Sequence, residues 1–182
     1  MEKNVYYITG MGGRLHTGLG KGLLDKGFKV EGRELFGEFR QLRFQQQVDT
    51  IANDLSNHHW HENSCVIANS FGAYLFLNAQ SQIQPYIGKV ILLSPIVGDF
   101  SNTETLTTYV PPFAGKIFEL AKEKKFPVPK NCEIHTGELD WQSNPESVAK
   151  LGDLLGIKVS VVPNTGHMLP IAYVEKLLDK FV

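Results

Sequence analysis

Two apolar runs, Cys65-Val66-Ile67-Ala68 and the stretch from Phe71 to Leu77, are separated only by Asn69 and Ser70. The first run is short and β-branched, as a buried strand is. The second, with Ala73, Leu75 and Phe76 continuing to Ala79, reads as a buried helix. A strand that turns directly into a helix forces the residue between them into a strained backbone conformation. Bulky side chains two positions to either side would collide there, and the chain places Ala68 and Gly72 at those positions. Such a turn lifts the Ser70 hydroxyl above the sheet and points the Phe71 amide at the same space. A competing reading makes Ser70 the N-cap of a core helix.

The rest of the chain repeats the strand-then-helix pattern. Residues 5–8 form an apolar strand that breaks at Thr9-Gly10-Met11-Gly12-Gly13. Thr17 is placed to cap a helix through Leu19, Leu23 and Leu24 that stops at Gly27, and residues 28–30 start a second strand. A long polar helix is expected over about 41–57, with Phe44, Val48, Ile51, Ala52 and Leu55 on one face. Residues 89–94 form a further buried run. Residues 95–130, rich in proline, are less regular and hold one amphipathic helix with Phe113, Ile117, Leu120 and Ala121. A strand over 132–136, a helix from Asn144-Pro145 to Gly156, a strand over 157–162 and a terminal helix from Pro170 complete the pattern. That last helix carries Ile171, Val174, Leu177 and Leu178. Near-continuous apolar strands alternating with helices mean an α/β fold, with a mostly parallel sheet of about six strands covered on both faces. Functional loops in such sheets lie at the carboxyl ends of the strands, where Met11, Ser70, Asp140 and His167 all fall.

Length and composition narrow the function classes. With 182 residues, 42% hydrophobic and 20% charged, the chain reads as one globular domain over residues 1–182. A formal net charge of −1 argues against a dedicated nucleic-acid or anionic-membrane surface. No apolar stretch approaches the length that spans a bilayer, and the first strand begins too early for a signal peptide, so a cytoplasmic protein is expected. Cys65 and Cys132 each open an apolar strand segment and read as buried free thiols.

A serine hydroxyl becomes a useful nucleophile when a base takes its proton, commonly a histidine oriented by a buried carboxylate. Here the order along the chain is Ser70, Asp140, His167. Ala68-Asn69-Ser70-Phe71-Gly72 looks like the G-x-S-x-G nucleophile elbow with alanine in the first position. Gly137-Glu138-Leu139-Asp140 with Pro145 looks like an acid turn, Gly166-His167-Met168-Leu169 like a histidine loop, and Thr9-Gly10-Met11-Gly12-Gly13 like an oxyanion loop. Over nearly its whole length the chain resembles the α/β-hydrolase superfamily. Having a short insertion at 95–130, an irregular segment or short lid, instead of a large cap, it is similar to the compact branch typified by retinoblastoma-binding protein 9. The resemblance implies Ser70 as nucleophile, His167 as general base and acid, and Asp140 as orienter. It further implies an oxyanion hole from the amides of Met11 and Phe71. The implied reaction is cleavage of a small-molecule ester, thioester or amide, with no cofactor and no metal. Thr9 stands where the family often has histidine, and Ala68 where it has glycine.

Other readings compete at several positions. Asp99, after the strand at 89–94, is a rival acid, and Glu138 lies two residues before Asp140. Arg14 is a candidate for holding a substrate carboxylate or phosphate, and Trp141 and Met168 for bordering the substrate. His58-His59-Trp60-His61 invites a metal reading but lacks acidic or thiolate partners at ligand spacing. Gly10-Met11-Gly12-Gly13 also has the start of a dinucleotide-binding turn, with Glu31 near the ribose-binding distance, yet Leu15 occupies its sixth position. The rival from another class is a binding module on a hydrolase scaffold with little or no turnover.

Overall fold

A computed structural model describes residues 4–181. In chain order the elements are β1 (Asn4–Ile8), α1 (Gly18–Asp25), β2 (Lys29–Arg33), α2 (Gly37–Gln41), α3 (Phe44–His58), β3 (Cys65–Asn69) and α4 (Phe71–Gln80). There follow β4 (Lys89–Leu93), β5 (Phe100–Asn102), β6 (Thr107–Tyr109), α5 (Lys116–Lys122), β7 (Asn131–Gly137), α6 (Pro145–Leu155), β8 (Lys158–Val162) and α7 (Ile171–Phe181). Six strands form one sheet in the order β2-β1-β3-β4-β7-β8, every pair parallel.

Alternation along the strands sends successive side chains to opposite faces and builds two cores. Tyr6, Ile8, Val66, Ala68, Val90, Leu92 and Ile134 face α3, α4, α5 and α6. Val5, Tyr7, Cys65, Ile67, Ile91 and Leu93 face α1 and α7, meeting Leu23, Leu177 and Leu178. Burial on both faces explains why these strands read as apolar runs instead of alternating ones. From β1 the chain steps first to β2 on one side and then to β3 on the other. The reversal opens a crevice beyond the carboxyl ends of β1 and β3, which is where ligands bind in sheets of this kind.

Several local expectations are corrected. The helix expected over about 41–57 is α3, which starts only at Phe44; a separate short helix, α2, ends at Gln41, and Leu42 and Arg43 between them are extended, with ψ of 151° and 147°. Helix α3 starts where the Gln46 side chain accepts a hydrogen bond from the Arg43 amide at 3.0 Å. Thr17 stands at the N-cap of α1 without a side-chain capping bond. The irregular segment contains an antiparallel hairpin, β5–β6, before α5. Cys65 is buried, and burial pushes its thiol up to about 12, whereas Cys132 is only half-buried. Ile171 starts α7 exposed to solvent, off the face that carries Leu177 and Leu178.

Candidate active site

The turn after β3 adopts the strained geometry that its sequence demands. Ser70 has φ 54° and ψ −123°, a region that non-glycine residues rarely occupy. Its side chain makes no capping bond to α4; the Oγ instead lies 2.8 Å from Nε2 of His167. Gly72 is required by close approach, since a Cβ there would stand 2.3 Å from the Thr9 carbonyl oxygen and 2.5 Å from that of Ile8. The first turn of α4 therefore rests directly on the end of β1.

Asp140 and His167 arrive from the ends of β7 and β8. His167 Nδ1 is 2.8 Å from Asp140 Oδ2 and 3.0 Å from Oδ1. Asp140 is 1% exposed, and its Oδ1 also accepts the amides of Gln142 and Ser143, each at 2.9 Å. Burial makes an isolated carboxylate costly, and these donors are what a buried charge requires. The two loops are locked together. The Leu139 amide donates to the Thr165 carbonyl at 2.8 Å, and Glu138 Oε2 accepts the Asn164 amide at 2.8 Å. A Cβ at Gly137 would stand 2.2 Å from the carbonyl oxygens of Thr165 and Gly166, so only glycine lets the loops pass this closely. Glu138 is thus committed to Asn164, and the exposed Asp99 makes no hydrogen bond to His167 among the described residues.

Two braces escape a sequence reading. Asn69 Oδ1 accepts the Gly10 amide at 3.0 Å and the Tyr7 hydroxyl at 2.8 Å, tying the loop after β1 to the turn that carries Ser70. Thr9 Oγ1 accepts the Leu35 amide at 2.8 Å and donates to the Gly13 carbonyl at 3.2 Å, so a hydroxyl anchors the loop at the position where the resembled family often has histidine. With the Gly12 amide on the Leu35 carbonyl and the Gly13 amide on that of Gly10, these bonds occupy the neighbours of Met11. The amides of Met11 and Phe71 have no acceptor among the described residues. No local signal marks Asn69, because nothing near it tells which loop will cross. The Asp-x-x-Ser pattern at Asp140–Ser143 does signal a side chain that bonds amides further along the chain.

Aromatic side chains surround this edge. Phe71 packs on Tyr109 with ring centroids 6.3 Å apart, Tyr109 on Phe100 at 5.3 Å, and Phe100 on Trp141 at 5.6 Å. The hairpin thereby joins the residue after Ser70 to the residue after Asp140. Arg14 is exposed and stacks 3.8 Å above the Phe36 ring, and Met168 stands 84% exposed beside His167 in sequence. Of the three substrate-binding candidates Arg14, Trp141 and Met168, only Trp141 joins the aromatic chain. His59 is buried against Tyr6, its burial holding the imidazole pKa below the usual value. Glu31, 3.4 Å from His59, also pairs with Lys29 at 2.8 Å. No group of three or more His, Cys, Asp or Glu side chains able to hold a metal ion occurs among the described residues. No helix there is long and apolar enough to cross a membrane.

No family model matches the chain, and no curated protein matches it in sequence. Solved structures do match in shape. The ydeN gene product of B. subtilis superposes with a TM-score of 0.68 at 18% identity, covering 98% of each chain. An alpha/beta hydrolase enzyme from the sediment metagenome of the Mar Chica lagoon, Morocco, matches at 0.62 and 18%, covering 100% of this chain and 91% of its own. This chain has the α/β-hydrolase fold. The carboxylesterase CesB of Bacillus subtilis shares that shape at a TM-score of 0.66 and 12% identity, with 99% of this chain and 83% of its own covered.

Proposed function

We propose that the protein is a serine hydrolase of the compact α/β-hydrolase branch, cleaving a small carboxylic ester, thioester or amide through an acyl-enzyme. The observation that carries this reading is the unbroken hydrogen-bond line from Ser70 Oγ through His167 to Asp140, set on a strained turn. The carboxylate accepts a hydrogen bond from Nδ1–H, which fixes the tautomer and leaves the Nε2 lone pair facing the serine. Ser70 Oγ then attacks the substrate carbonyl carbon as its proton passes to Nε2. The oxyanion that forms is met by the amides of Met11 and Phe71, and by the positive end of α4. Collapse of the tetrahedral intermediate breaks the bond to the leaving group, which takes the proton from His167. Water, deprotonated by the same histidine, attacks the acyl-enzyme and returns Ser70 to its starting state. The aromatic wall of Phe71, Tyr109 and Phe100 favours an apolar acyl group. Solved structures of like fold that are named carboxylesterase or esterase add support for ester substrates.

The test is a quenched-turnover experiment on p-nitrophenyl esters of graded acyl length, with intact-mass detection. An acyl adduct on Ser70 that forms and decays with turnover is the expected result. Turnover by the Ser70→Ala variant at the wild-type rate would refute the nucleophile. Failure of the folded protein to turn over any ester, thioester or amide would favour the binding module.

A further inference from the structure

Between β7, β8 and α7 the fold leaves a cavity of about 370 Å³ that takes no part in the chemistry above. Glu133 pairs in register with Lys158, and His135 with Ser160, so these four side chains share one face of the sheet and line the cavity. The opposite wall is one face of α7, where Tyr173, Lys176 and Lys180 recur at helical spacing. Lys158, Lys176 and Lys180 form no ion pair among the described residues. Three lysines therefore line the cavity against a single carboxylate, an excess of positive charge that favours an anion there. Beneath them His135, 3% exposed, is bonded at Nδ1 to the Tyr173 hydroxyl at 2.8 Å. Its Nε2 is buried without a hydrogen-bond partner, with Glu133 Oε2 3.4 Å away. A buried polar atom left over in this way is costly, and such an atom commonly marks a missing ligand or water.

We propose that this cavity binds a phosphate-class anion, either the free ion or a small phosphomonoester, held by Lys158, Lys176 and Lys180 with the hydroxyls of Ser160 and Tyr173. A tetrahedral dianion offers enough oxygens and charge for three ammonium groups and two hydroxyls, more than a single carboxylate does. The cavity exceeds the ion itself, leaving room for a compact organic part. Burial holds the His135 pKa below the usual imidazole value, and an anion arriving beside the ring perturbs its resonances.

The experiment titrates inorganic phosphate, and separately glycerol 3-phosphate, into the full chain at constant ionic strength while following the His135 imidazole resonances. A saturable shift is expected with both probes, and tighter binding of one identifies the free ion or the phosphomonoester as the better ligand. In the Lys158→Gln/Lys176→Gln variant, whose exposed positions leave the fold intact, affinity should fall about tenfold or more. A Tyr173→Phe variant, lacking one hydroxyl, should also weaken it. The proposal is overturned if the His135 resonances do not saturate, if sodium chloride produces the same shift, or if the double-lysine variant binds as the wild type does.

Discussion

Ser70 is held in a conformation that costs about 1–3 kcal/mol, and its hydroxyl is engaged by His167 instead of capping α4. On the proposed mechanism, Ser70→Ala or His167→Ala lowers kcat by about 10⁶-fold, on the order of 8 kcal/mol of transition-state stabilisation. Asp140→Asn lowers it by about 10⁴-fold, because the amide favours the wrong imidazole tautomer. Asp99→Asn leaves turnover within about twofold of wild type. Steady-state kinetics on one activated ester checks all four, and a loss in Asp99→Asn equal to that in Asp140→Asn would reverse the assignment of the acid. Asn69→Ala releases the Gly10 amide and the Tyr7 hydroxyl together. As a positioning residue, its loss should lower kcat by about 10–100-fold with little change in KM. The candidate triad was legible because each of its members sits in a motif at a strand end. Asn69 and Thr9 were not legible as braces, since Gly10 meets Asn69 and Leu35 meets Thr9 only through the crossing of loops.

At the scale of elements, the contact between α4 and β1 leaves no room for a side chain at residue 72. Gly72→Ala drives a Cβ against two backbone carbonyls and should cost about 1–3 kcal/mol, read as a lower urea midpoint. An unchanged midpoint would mean that the close approach is relaxed in solution. The hairpin β5–β6 joins Phe71 to Trp141 through Tyr109 and Phe100. Tyr109→Ala should therefore shift the preferred acyl length in an ester panel while keeping the melting temperature close to wild type. Equal losses for every acyl length would assign the hairpin a structural role only. Strands of three residues carrying Ser101, Asn102, Thr107 and Thr108 present no apolar period, so the sequence showed this segment only as irregular. The start of α3 at Phe44, three residues later than expected, was hidden for a different reason: Leu42 and Arg43 carry no glycine or proline to mark a boundary, and only backbone geometry shows it.

For the whole molecule, burial of titratable groups sets the response to pH. His59 and His135 are both buried, and desolvation holds each pKa below the usual 6.5. Unfolding exposes them, so as pH falls below 6.5 the unfolded chain binds protons that the folded chain refuses, and stability declines. Each such proton contributes at most about 1.4 kcal/mol per pH unit in that window. Urea midpoints should fall from pH 7 to pH 5, and a flat profile would contradict the burial of both rings. The parallel α/β character followed from alternating apolar runs and helical patterns. The strand order did not, because near-continuous hydrophobic strands carry no mark of their neighbours; the reversal between β1 and β3 that brings Gly10 against Ser70 appears only in three dimensions. An activated serine in this crevice reacts covalently with a fluorophosphonate probe, and intact-mass analysis counts the adducts. One adduct is expected on the wild-type protein and none on Ser70→Ala. A folded wild-type protein that takes no adduct, or a Ser70→Ala variant that takes one, would contradict an activated Ser70.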